Sequence, residues 1–274
     1  MTATGKEPVL LVDKPTSAPH VLVLTMNRPH ARNAMSPELE RALGDALDAF
    51  DADDDLWVCV LAGAGPVFCA GADLGAWQQR TEKSSTPSPH GFGALSTRRT
   101  TSKPVIAAVQ RGGAHGGGCE LALGADLVVA EPGARFAMPE ARRGVLVAAG
   151  GLQRLALVAG HQLASEMVLT GRVVTAEEAY SRFRFVNEIA APDVPVLTAA
   201  LNLARRLCAL SPDAAKAHKR ALLLSLDASG VRKAFEGAMK SDEAGEVYSG
   251  RNIREGLNAF VEKRAPQWTN PAKL

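Results

Sequence analysis

The chain has 274 residues, 46% of them hydrophobic and 5% aromatic, with a formal net charge of +2. That length and apolar content suffice for one sizeable core, whereas the near-balanced charge and scarce aromatics argue against a nucleic-acid surface. No apolar run reaches the ~18 residues of a membrane-spanning helix, and the N-terminal MTATGKEP lacks a signal-peptide pattern.

Residues 9–12 and 21–26 are short β-type runs flanking a turn-rich segment, which predicts a hairpin. Asn27-Arg28-Pro29 ends the second strand, and residues 30–35 form a loop. Ser36-Pro37-Glu38 then starts a helix with a capping hydroxyl, a proline at the first helical position and an acid in the first turn. Leu39, Leu43, Leu47 and Phe50 follow at helical spacing, and the acidic residues 51–55 close the helix as a solvated turn rather than a metal site. Residues 57–62 form an apolar strand. The small residues of Val67-Phe68-Cys69-Ala70-Gly71-Ala72-Asp73-Leu74 allow close backbone approach and lead into another helix start. Residues 81–92, rich in Ser, Pro and Thr, predict a mobile loop. Lys103-Pro104 introduces a buried strand over residues 105–109.

The most informative stretch is Arg111–Leu123, RGGAHGGGCELAL, with five glycines in seven residues opening a helix. Glycine lets the backbone approach a ligand and take positive φ, and free N–H groups at a helix start suit an anionic or carbonyl oxygen. Glu120 follows two residues after the last glycine. By itself the stretch is equally compatible with a tight strand-to-helix turn carrying a surface glutamate. GxGxxG, Walker A, GxSxG and HExxH motifs are all absent from the sequence.

Strands over residues 126–130 and 134–137 precede Met138-Pro139-Glu140. Thr175-Ala176-Glu177-Glu178 is a capping box, and residues 185–189 predict a last core strand. From residue 194 onward helices dominate, over residues 196–210, 213–226, 231–248 and 253–263. Their apolar faces are too many to satisfy one another, which predicts packing on a neighbouring subunit. The alternation of strands, helices and glycine turns is an α/β arrangement. It divides into a core over residues 1–193 and a helical region over 194–274. Cys59, Cys69, Cys119 and Cys208 lack CxxC spacing and read as thiols of a reducing compartment.

Taken together and in order, these pieces resemble the enoyl-CoA hydratase/isomerase, or crotonase, superfamily. The resemblance rests on Asn27-Arg28-Pro29 with Asn33-Ala34, Phe68 to Leu74, Lys103 to Val109, and Gly116-Gly117-Gly118-Cys119-Glu120-Leu121-Ala122. Phe136, Pro139-Glu140, Gly144, Gly150-Gly151, Gln153-Arg154-Leu155, Glu166 to Arg172, Ala176 to Ala179, Glu255-Gly256 and Ala259 to Arg264 extend it over nearly the whole chain. It implies a ClpP/crotonase-like spiral of ββα units with a C-terminal helical trimerisation region. It also implies an acyl-CoA thioester substrate, a homotrimer or dimer of trimers, and no metal or cofactor beyond the coenzyme A of the substrate.

The resemblance assigns the oxyanion hole to the N–H groups of Ala72 and Gly117, and acid–base chemistry to Glu120 and Glu140. Backbone donors fixed around a thioester oxygen stabilise a developing enolate, and two neighbouring carboxyls titrate as a pair. Glu120 is expected to activate water and Glu140 to deliver the proton to C2. Coenzyme A contacts are expected from Ala70, Ala72, Asp73, Leu74, Gly75 and Gly117, with Phe260 and Lys263 donated by an adjacent subunit and Arg28 and Arg32 near phosphate. The expected activity is hydration of a 2-enoyl-CoA to a 3-hydroxyacyl-CoA. The alternatives are a Δ3-Δ2-enoyl-CoA isomerase and a non-catalytic acyl-CoA-binding homologue. Three departures stand out: Val147-Ala148 where Pro-Gly is usual, His115 where an apolar residue is common, and Ser181 to Phe185 (SRFRF) in place of a Gly-Leu-Val run. The terminal Ala272-Lys273-Leu274 resembles a peroxisomal address in a eukaryotic host; otherwise the expectation is cytoplasmic.

Overall fold

A computed structural model describes residues 7–78, 90–98 and 102–271 of the chain. Most of the loop expected over residues 81–92 and the terminal Ala272-Lys273-Leu274 lie outside the described residues.

The framework is a six-stranded sheet. β1 (Leu10–Asp13) and β2 (Val21–Met26) form the expected hairpin, with Leu10 opposite Met26. The remaining strands are all parallel: β3 (Val58–Gly63), β4 (Val105–Val109), β6 (Leu127–Ala130) and β9 (Glu188–Ile189), in the order β1-β2-β3-β4-β6-β9. β3 and β4 are buried on both faces, as parallel strands covered by helices must be. A three-stranded sheet of β5 (Ala114–His115), β7 (Arg135–Ala137) and β8 (Val174–Thr175) stands beside the first.

α1 (Pro37–Ala52) starts where its sequence dictates: the Ser36 hydroxyl accepts from Leu39 N at 3.2 Å. It buries Leu39, Leu43, Leu47 and Phe50. Its C-terminus is closed by the buried Lys103, whose Nζ donates to the carbonyls of Phe50 and Asp53 at 2.7 and 2.6 Å. A cation at that end complements the helix dipole. The acidic residues at the end of the helix are not simply solvated. Asp53 pairs with Lys14, and Asp51 pairs with the buried Arg98.

α2 (Leu74–Gln78) is short, and α3 (Gly117–Gly124) is the glycine-led helix that follows β5. Next come α4 (Gly151–Ala159) and α5 (His161–Thr170), divided at Gly160, then α6 (Ala176–Ser181) with the Thr175–Glu178 capping box intact. The sequence reading had not placed α4 or α5. The strand expected over residues 185–189 shrinks to Glu188–Ile189. Phe185 N and Val186 N instead bond to Ala179 O, so this segment wraps the end of α6 before it can join the sheet. The SRFRF departure is thereby explained. Phe183 and Phe185 are buried, Phe185 meets Phe136 edge-on at 5.1 Å, and the Arg172 guanidinium lies 5.6 Å from the Phe183 ring.

The C-terminal helices are α7 (Val196–Cys208), α8 (Pro212–Asp227), α9 (Val231–Met239), α10 (Asp242–Ser249) and α11 (Arg251–Glu262). α9 and α10 replace the single helix expected over residues 231–248, because Ser241 caps a new start by accepting from Ala244 N. α7 packs Val196, Ala199, Ala200, Leu203 and Ala204 into the core against β2, β3, β4 and β6. The first helix of the C-terminal region therefore shares the core of the sheet. All four cysteines are unpaired, and Cys59, Cys69 and Cys119 are buried. Among the described residues no helix is long and apolar enough to cross a membrane.

Candidate active site

The site forms where residues 69–73 run beside residues 114–117. His115 N donates to Cys69 O at 2.9 Å, and short bridges link Cys69 to Ala114 and Met35 to Ala72. The approach is close enough to require glycine. A Cβ on Gly118 would collide with the Cys69 carbonyl, and one on Gly71, at φ +94°, would stand 3.3 Å from Gly117 N. The Cys69 thiol shapes this turn, its Sγ accepting from Gly71 N at 3.4 Å. Burial pushes that thiol's pKa up to about 12, which keeps it protonated. Ala72 N–H and Gly117 N–H make no hydrogen bond among the described residues. The Gly117 N–H opens α3, where the helix dipole is positive, and Ala72 follows Gly71, the residue that approaches it.

Glu120 lies one turn into α3 and is 3% exposed. Its Oε1 accepts from Ala149 N at 2.8 Å and Gly151 N at 2.9 Å. Burial raises its pKa, partly offset by those two backbone donors and by the positive charge of Arg154. The loop carrying Val147 and Ala148 is therefore the loop that holds Glu120. Val147 is buried in the core and Ala148 is exposed, while the two donors lie just past the departure.

Glu140 opens a single 3-10 turn, Glu140–Arg143. Its Oε2 is buried with no hydrogen-bond partner, and its Oε1 lies 3.0 Å from where a Gly116 side chain would begin. Burial is the main cause of its raised pKa; the charge of Glu120 adds to the rise, and Arg143 opposes it. Burial, and then the charges of Glu140 and Glu120, raise the pKa of Cys119, the residue before Glu120. The two acids, from separate elements, lie near enough for the charge of Glu120 to act on Glu140.

Other expected residues have visible local roles. Asp73 caps α2 by accepting from Ala76 N at 3.2 Å and pairs with Arg28 at 3.0 Å. Both hold its carboxyl below the usual range, the backbone bond most strongly. Arg28 also donates to Ala34 O, which ties it into the turn. Ala70 N donates to Arg32 O at 3.0 Å. Leu74 and Gly75 are exposed beside Ala72. His115 has a ring nitrogen 2.8 Å from Gly112 O, a local structural bond. Phe260 and Lys263 lie exposed at the end of α11, away from the two glutamates in sequence and element. Sequence reasoning missed Phe92, whose ring tip rests on Gly117. The two glycines flanking it were the available signal. It also missed the Ala149 and Gly151 donors, which no side-chain pattern can announce.

Known proteins resemble this chain over nearly its whole length. The family model for enoyl-CoA hydratase/isomerase matches residues 16–271. A mevalonyl-coenzyme A hydratase of Beauveria bassiana is 42% identical, with 98% of each chain covered. The 2,3-dehydroadipyl-CoA hydratase of Escherichia coli is 37% identical over 90% of this chain and 94% of that one. The crystal structure of an enoyl-CoA hydratase from Mycobacterium tuberculosis H37Rv superposes with a TM-score of 0.86 at 37% identity, covering 96% of this chain and 99% of that one.

Proposed function

The chain belongs to the enoyl-CoA hydratase/isomerase family, and on that premise we propose that it adds water across the 2,3 double bond of an enoyl-CoA to give a 3-hydroxyacyl-CoA. The observation that carries this reading is the pairing of the buried Glu120 with the half-buried Glu140, whose Oε1 lies against Gly116, next to the unbonded Gly117 N–H. The thioester oxygen takes the N–H groups of Ala72 and Gly117, which stabilise the negative charge that develops there. Glu120 is the base. Its Oε1 is occupied by two backbone N–H groups that favour the ionised form, which leaves Oε2 for water. Water attacks C3, its proton passes to Glu120, and the electron pair of the double bond moves onto the thioester as an enolate.

Glu140 is the acid. Burial of its Oε2 without a donor raises its pKa, and it delivers a proton to C2. One proton returned from Glu120 to Glu140 resets the pair. Coenzyme A enters and leaves as part of the substrate. The relatives named above are called hydratases of different acyl groups, so the chemistry is the shared feature and the acyl group the variable one.

The decisive experiment incubates the enzyme with crotonyl-CoA in oxygen-18 water and analyses the product by mass. Label in a 3-hydroxyl group is the expected result. Conversion of a 3-enoyl-CoA to a 2-enoyl-CoA with no label incorporated would instead identify an isomerase.

A further inference from the structure

We infer that Phe92 is the residue that sets how much bulk the substrate can carry at C2 and C3. This rests on the acyl-CoA reading above and deepens it. A Cβ on Gly117 would stand 2.6 Å from Phe92 Cζ and 2.8 Å from Cε1 and Cε2. The ring tip therefore lies within about 4 Å of the Gly117 Cα, one further carbon–carbon bond away. On the neighbouring residue, Gly116, the corresponding space is taken by the Glu140 carboxylate. The Gly116-Gly117 peptide is thus flanked by the acid on one side and an aromatic wall on the other. A carbonyl oxygen on Gly117 N–H places C2 and C3 beside that wall, whereas the far end of an unbranched chain extends beyond it.

The wall is held in place by design of the surrounding structure. Its turn contains positive φ at Gly91 (+73°), Gly93 (+61°) and Ala94 (+53°), and an alanine in that region is strained. α1 holds the strained turn with one face. Glu40 Oε1 accepts from Gly93 N at 3.2 Å, Gly44 meets Ala94, and Asp48 and Asp51 accept from Arg98. Those four positions recur at helical spacing. Gly93 itself sits against Leu121 and Met35, where a side chain would clash. Restraint of this kind makes Phe92 a wall that does not yield to substrate.

The test compares wild type with Phe92→Ala and Phe92→Leu. kcat/KM is measured for 3-methylcrotonyl-CoA, crotonyl-CoA and the unbranched 2-octenoyl-CoA. The expected result is a rise of at least 10-fold in the ratio of 3-methylcrotonyl to crotonyl for Phe92→Ala, with Phe92→Leu between. The octenoyl to crotonyl ratio should stay within threefold. A branched-to-linear ratio within twofold of wild type in both variants overturns the inference, whatever the absolute activity. Calorimetric affinities for isovaleryl-CoA and butyryl-CoA give the same ratio without turnover. A wild type that hydrates nothing, but whose affinity ratio shifts in Phe92→Ala, would refute the hydratase reading and leave the role of Phe92 standing. A hydrating wild type with unmoved ratios would refute the role of Phe92 alone.

Discussion

Glu140 keeps a buried oxygen without a partner, an arrangement that costs stability and supplies chemistry. Its pKa lies above the ordinary 4.5, chiefly through burial. A carboxyl raised on folding destabilises the native state wherever it must ionise, so the penalty is full above the raised pKa and vanishes below 4.5. Glu140→Gln is therefore expected to lose about 10²–10⁴-fold in kcat. It should also melt at a higher temperature at pH 8, a gain that disappears as the pH falls below 4.5. Scanning calorimetry across pH checks the sign; a lower melting temperature at pH 8 would contradict it. Glu120→Gln should lose as much activity, and the wild-type kcat/KM profile should be bell-shaped. Its two limbs would report the coupled ionisations of the Glu120–Glu140 pair. Both glutamates stand out in the sequence after Gly-rich and Pro elements, and their proposed roles come from the family resemblance. Phe92 was not, because it follows a Ser-, Pro- and Thr-rich run that carries no periodicity.

The contact between α3 and residues 69–72 is the joint on which the site depends. Gly118→Ala would drive a methyl group into the Cys69 carbonyl. The expected cost is about 1–3 kcal/mol of stability, with a loss of kcat larger than that destabilisation explains, since Ala72 and Gly117 would move apart. Urea unfolding and kinetics on the same preparation test both parts. An active, undiminished variant would show that the joint is softer than its geometry indicates. Elements with strong local signals were readable in the sequence: α1 by its Ser-Pro-Glu start, α6 by its capping box, and β3 and β4 by continuous apolar runs. α4 and α5 were not, because glycines at 150, 151 and 160 interrupt what would otherwise read as one helix. The Ser241 cap hid inside a run whose composition is helical on both sides. Segment 185–187 reads as strand by its apolar residues. The N–H groups of Phe185 and Val186 go to the end of α6 instead, and Asn187 N is the first to reach β6, at Val128 O, a tertiary choice beyond the reach of local pattern.

At the scale of the whole chain, the C-terminal helices expose large apolar residues, among them Val231 at 87%, Phe260 at 84% and Val261 at 79%. Patches of this kind mark association surfaces. They support the proposal of a trimer or a dimer of trimers, in which Phe260 and Lys263 of one subunit would reach a neighbour's bound coenzyme A. Light scattering should find a multiple of three, and Phe260→Glu combined with Val261→Glu should yield smaller species. A wild-type monomer would defeat the proposal. The sequence foretold the excess of apolar helix faces, but which face meets which depends on geometry that only a folded subunit defines. The two free N–H groups of Ala72 and Gly117 also give the molecule a built-in reporter. They sit among strands and a helix whose amides are locked in ladders, so in deuterated water they should exchange first within an otherwise slow region. A bound thioester oxygen would slow them selectively, making occupancy of the site measurable by exchange rate even with a substrate analogue that never reacts.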